Sequence, residues 1–228
     1  MTSPRDRILG SIRDSLLRAQ LPAEHHGPAA GPEIPVATPA TEALAAQFSA
    51  ALTALAGHVH RASGAAGAAD IIVGIARENR AAAFISWDEA AIECPGLLAA
   101  LAARGLSRVT YDVSSDAGRR LSEVDALAGI GLGITGAHAA LAENGGLVLV
   151  SGPGRGRLPS ILPPVHVAVV TERRLRPSLA DLVREEPRLL AGGSNVVIVA
   201  GPSRTADIEM TLTHGVHGPK HLHVVLMA

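Results

Sequence analysis

Four stretches of this 228-residue sequence gather side chains that can do chemistry. Glu143-Asn144-Gly145-Gly146 places a carboxylate ahead of two glycines. Glu143 is there a candidate nucleophile or general base, and the amides of Asn144 and Gly145 are candidate donors to an oxyanion or phosphate. The plainer reading is a turn, because glycine supplies the left-handed backbone that ends an element. Ser151-Gly-Pro-Gly-Arg-Gly-Arg-Leu-Pro-Ser160 is too rich in glycine for regular structure and carries Arg155 and Arg157. Arginine suits carboxylates and phosphates, so this is either a mobile anion-gripping loop led by Arg155 or a solvated hairpin tip.

The third stretch, Gly201-Pro-Ser-Arg-Thr-Ala-Asp-Ile-Glu209, follows an apolar run. It brings Gly201, Ser203, Arg204, Thr205, Asp207 and Glu209 to the carboxyl end of a strand. Hydroxyls, a guanidinium and free amides make a candidate anion site, unless Asp207 or Glu209 only anchors Arg204. The fourth, His214-Gly-Val-His217-Gly-Pro-Lys220-His221-Leu-His223, spaces His214 and His217 by three. No carboxylate intervenes and the usual zinc signatures are missing, so no metal site is expected. His217 is the candidate acid–base residue and His214 a ligand contact. His138 and His166 read the same way, as structural or acid–base histidines. Cys94, before Pro95, has no activating neighbour and reads as a bystander. Gly131-Leu-Gly-Ile-Thr-Gly136 is a literal GxGxxG, but it lies past mid-chain with no ribose-binding acid after it. Close packing of a strand explains it better than a dinucleotide.

The elements that must position these loops follow from periodicity. Ser3-Pro4 opens a short amphipathic helix whose apolar stripe is Ile8, Leu9, Ile12, Leu16 and Leu17. Five prolines between 21 and 40 mark a linker or arm, so the domain begins at 41. Beyond it helices and strands alternate. Helices are expected at 41–56, 65–79, 97–104, 117–122, 137–142 and 179–190, the last interrupted by Pro187. Strands are expected at 58–62, 81–86, 108–112, 131–135, 147–151, 165–170, 196–200 and 223–227. That alternation predicts an α/β fold, a mostly parallel sheet flanked by helices, with ligands beyond the carboxyl ends of its strands.

Composition narrows the function classes. Twenty basic against 21 acidic residues leave a net charge of −1, and aromatics are only 2%. Nucleic-acid binding loses both its field and its stacking platforms. One cysteine excludes a disulfide framework and an iron–sulfur cluster held by this chain alone. No apolar run approaches the ~20 residues of a transmembrane segment. No signal-peptide core opens the chain, so a cytoplasmic location is expected.

Taken together, four segments resemble the LUD-domain family. They are Gly133-Ile-Thr-Gly-Ala-His-Ala-Ala-Leu-Ala-Glu143, Leu162-Pro-Pro-Val-His166, the 201–209 run and Gly215-Val-His-Gly-Pro219. The resemblance covers about 42–228 in order. It implies a fold like the NagB/RpiA/CoA-transferase superfamily and a part in oxidising L-lactate to pyruvate. It also implies partner proteins, at least one carrying iron–sulfur clusters. With one cysteine, this chain would be a non-redox subunit or ligand-binding component of such a complex. Its cleft would hold a small carboxylate or a phosphate-bearing ligand between Glu143, Arg204, Thr205, Asp207 and His217. The family's hydroxyl-bearing residues after the glutamate are replaced here by Asn144-Gly145-Gly146. Glu-Asn-Gly also resembles the nucleophile segment of class I CoA-transferases. The alternative is therefore a free-standing CoA-transferase-like or sugar-phosphate enzyme using Glu143.

Overall fold

The computed structural model describes residues 4–18, 40–111, 116–127, 129–189, 194–206, 212–214 and 218–228. Close contacts divide the chain into Met1–Ala37 and Thr38–Ala228. Within the first unit, helix α1 spans Pro4–Arg18 and carries the expected stripe, with Leu16 and Leu17 exposed.

The second unit is built on a six-stranded parallel sheet. Its strands are β1 (His58–Ala62), β2 (Ala83–Ser86), β3 (Ser107–Arg108), β4 (Leu132–Thr135), β7 (Val165–Thr171) and β12 (His221–Met227). They lie in the order β1-β12-β7-β4-β2-β3. Val165–Val170 and Leu222–Met227 are buried on both sides, which is why they read as apolar runs broken only by His166 and His223. Helices α2 (Thr41–Ala54), α3 (Gly64–Glu78) and α5 (Leu97–Ala103) supply the covering layer. Leu44, Phe48 and Leu52 recur every fourth residue along α2 and are buried. One register row crosses four strands through Ile85, Gly133, His166 and Leu222. Gly133 is the packing glycine of the GxGxxG run: a Cβ there would stand 1.8 Å from the Pro159 carbonyl.

A second sheet was not expected. Strands β5 (Ala139–Leu141), β6 (Gly146–Ser151), β8 (Leu175–Arg176) and β9 (Asn195–Val199) form it in the order β8-β5-β6-β9. It corrects the helix expected at 137–142. Alanine is the best helix former, but propensity is a weak force beside tertiary pairing, and antiparallel pairing of Ala139 with Val148 inside the core prevails. The strand expected at 108–112 shrinks to Ser107–Arg108, paired with β2. The helix expected to start at 117 runs further, as α6 (Ala117–Leu127), and a short α4 (Glu89–Ile92) intervenes after β2. Helix α7 (Leu179–Glu185) stops two residues before Pro187, which cannot continue it. A hairpin of β10 (Arg204–Ala206) and β11 (Leu212–His214) completes the described elements.

Candidate active-site crevice

The order of strands locates the natural ligand position. From β2 the chain moves outward to β3, whereas the sheet strand following β4 is β7, on the other side. Carboxyl ends that diverge in this way leave a crevice between them. Two cavities of about 320 and 500 Å³ lie there and share His138, Val150 and Arg155. The loops after β2, β4 and β6 line them with Trp87, Ala137 and Pro153.

Each side chain is set by its backbone. Gly136 lets the exit of β4 pass α4, since a Cβ would meet the Ala91 carbonyl at 2.4 Å. His138 then donates its amide to Val148 O at 2.8 Å, fixing it at the mouth of β5. Its Nε2 lies 2.8 Å from Glu186 Oε2, with the His138 side chain 20% exposed. Glu186 is placed by the end of α7, where its amide donates to Leu182 O at 2.8 Å. A carboxylate on Nε2–H leaves Nδ1 as the basic nitrogen, the arrangement that orients a general base. Arg155 stands in a tight reversal closed by paired amide–carbonyl bonds with Gly152. Its guanidinium lies across Gly152, with Nη2 3.3 Å from where a Cβ would be. Among the described residues no carboxylate pairs with it, in contrast to its neighbours. Arg173 and Arg174 both pair with Glu93, and together they hold the Glu93 carboxyl down to about 2.

An unpaired guanidinium can grip an anionic group, and the histidine–carboxylate pair beside it can take a proton from a nearby hydroxyl. The residues suit no iron–sulfur cluster: the one thiol, Cys94, is buried, and burial raises its pKa.

The other expected site residues lie elsewhere. Glu143 is exposed on the β5–β6 turn, and its Oε1 accepts the Leu179 amide of α7 at 2.9 Å. Asn144 Oδ1 accepts the Gly146 amide at 2.9 Å, and Gly145 adopts φ +67°. A Cβ on Gly145 would meet the Leu52 amide nitrogen at 2.5 Å, so the turn is wedged against α2. Gly201 and Ser203 border a separate cavity of about 250 Å³ with Ser160, His166, Gly218 and Pro219. There His166 is fully buried, its Nε2 is 2.8 Å from Thr135 Oγ1, and its Nδ1 has no partner among the described residues. Burial lowers its pKa to about 4. Three of the four segments that carry the family resemblance thus meet at this cavity. Arg204, Thr205 and His214 lie in the β10–β11 hairpin, where Arg204 is opposite His214. Asp207, Glu209 and His217 lie outside the described residues. Glu186 was not anticipated; its only signal is an acidic residue just before Pro187.

A family model for the LUD domain matches residues 45–227. The chain belongs to the LUD-domain family. Among its relatives, "Lactate utilization protein C" of Halalkalibacterium halodurans is 44% identical over 92 residues, 39% of this chain and 40% of that protein. The protein of the same name from Bacillus licheniformis is 35% identical over 128 residues, 50% of this chain and 53% of its own length. The matched part is thus about half or less of each of these curated relatives. A crystal structure of a DUF162 family protein from Deinococcus radiodurans superposes with a TM-score of 0.60 at 19% identity, covering 83% of this chain and 99% of that one. That likeness shows a shared fold.

Proposed function

We propose that this LUD-domain chain is the non-redox, ligand-binding component of a cytoplasmic L-lactate oxidation system that works with iron–sulfur partner proteins. The name of the relatives described above supports a role in lactate utilization; oxidation is this reading's own step. The observation that carries the reading is Arg155, without a carboxylate partner among the described residues, beside His138 and Glu186 in the switch-point crevice.

L-lactate offers a carboxylate and an α-hydroxyl on adjacent carbons. Arg155 takes the carboxylate through its two parallel donors. His138 Nδ1 then faces the α-hydroxyl and accepts its proton, while Glu186 stabilises the imidazolium that forms. Trp87, Ala137, Val150 and Pro153 give the crevice an apolar wall suited to the lactate methyl group. Oxidation to pyruvate releases two protons and two electrons in all. The second proton, from Cα, would leave to solvent. The electrons would pass singly to iron–sulfur clusters on the partners, because this chain has no thiol set to hold one.

The test is L-lactate-dependent dye reduction with this chain alone, its iron–sulfur partners alone, and all together. Turnover only in the full mixture, lost in Arg155→Gln, is the expected result. Equal turnover without this chain overturns the reading.

A further inference from the structure

The far side of the same glycine loop opens onto a different cavity. It measures about 400 Å³ and is bordered by Ser86, Asp88, Arg108, Tyr111 and three loop glycines. Neither Arg155 nor His138 borders it.

Ser86 closes β2 and is 5% exposed, yet its Oγ has no hydrogen-bond partner among the described residues. A buried hydroxyl left unsatisfied is costly, and a cavity at its side is where a ligand oxygen would relieve it. Arg108 closes β3. One of its terminal nitrogens reaches Trp87 O at 3.3 Å and Asp88 Oδ1 at 3.4 Å, both at the long limit of a hydrogen bond. The rest of the guanidinium fork has no partner among the described residues. Tyr111 has its hydroxyl against Gly156, 2.7 Å from where a Cβ would stand. Burial pushes its pKa up to about 12, so the hydroxyl stays protonated and donates.

The loop that closes the cavity is clamped at two points. Asp88 N donates to Gly154 O at 2.9 Å, and Trp87 Nε1 donates to Gly156 O at 2.8 Å. Gly154 adopts φ +69°, and a Cβ there would press on the Asp88 carboxylate at 2.6 Å. The wall is therefore held in place without a ligand. Three donor groups of different kinds border one space. A planar carboxylate presents two oxygens to such a set, whereas a phosphate monoester presents three. The volume also exceeds what a bare anion fills, and Asp88 supplies an acceptor for a hydroxyl on the same ligand.

We propose that this cavity is a second binding site, for a small hydroxylated phosphate monoester, with Arg108, Ser86 and Tyr111 on the phosphate and Asp88 on a ligand hydroxyl. It is independent of lactate at Arg155, since the loop backbone separates the two arginines.

The test is titration calorimetry of the full chain with D-ribose 5-phosphate, inorganic phosphate and free ribose, without lactate or partners. Saturable binding of ribose 5-phosphate is expected, with phosphate weaker and ribose silent. Arg108→Met should weaken it more than about tenfold, and Ser86→Ala, the smaller change, by about threefold to tenfold. Arg155→Met should leave it within about twofold. No saturable binding of either phosphate probe overturns the proposal. So does binding that follows Arg155 instead of Arg108, or binding of ribose alone.

Discussion

Two glycine-rich turns, 143–146 and 151–157, look alike in sequence: each sets a charged side chain among glycines after an apolar run. Their structures differ in where the charge goes. The Glu143 carboxylate receives the first amide of α7, next to Ser178, whose Oγ accepts the Asp181 amide at 3.1 Å. Both groups satisfy donors that every helix start leaves open. Among the described residues Arg155 has no such partner, although Arg173, Arg174 and Arg176 are each paired. A glycine turn with a charge is therefore not itself a site. Accounting for the partner of that charge separates the structural turn from the candidate one.

That contrast can be broken at several points. Gly145→Val should cost roughly 4 kcal/mol or prevent folding, because φ +67° and the Leu52 backbone both oppose a side chain. Thermal melting reads it, and a Tm near wild type would show that the 143–146 turn is not wedged.

Acid should act through neither turn. His166 and His223 are both lowered to about 4, His166 by burial and His223 by burial and the neighbouring His58, His60 and His221. Their unfolded values are near 6.5, so below that pH the unfolded chain binds more protons. Stability is complete above about pH 6.5 and falls toward pH 4, by about 2 kcal/mol from each at pH 5. Urea titrations at pH 7 and pH 5 measure it; equal midpoints would contradict the buried neutral histidines.

Arg155→Gln should lower lactate-dependent turnover of the reconstituted system about 100-fold with Tm within about 2 °C. A large loss of Tm instead would make this loop structural too. Glu186→Gln should cost about tenfold in turnover with the KM for lactate little changed, since the carboxylate holds the His138 ring in place. Unchanged turnover would reduce Glu186 to packing. Glu143→Gln, the smallest effect, should remove about 0.5–1 kcal/mol of stability and leave turnover intact. A collapse of turnover in that variant would restore Glu143 as a catalytic group.

The parallel sheet was legible because strands covered on both faces must be largely apolar, as in 165–170 and 223–227, where His166 and His223 are the polar exceptions. The second sheet was hidden because Ala139–Leu141 has no side-chain pattern of its own; only pairing with β6 and β8 makes it a strand. The Arg155 loop was readable from glycine and arginine together. Glu186 and His138 are 48 residues apart, so only the folded chain reveals them as a pair. Ser86 and Arg108 were missed for a related reason: each is an ordinary polar residue until the ends of β2 and β3 set them beside one cavity.

The placement of β12 has a consequence for how the molecule is made. This strand, the last described, sits between β1 and β7, so the first and last sheet strands are neighbours. While the ribosome is still working, β1 has nothing to pair with and β7 lacks one flank. The sheet must stay open until His221–Met227 emerges, leaving apolar strand edges waiting on the slowest, most sequence-distant contact. Nascent chains stalled before His221 should therefore engage chaperones and resist compaction, whereas release of a few more residues should close the fold in one cooperative step.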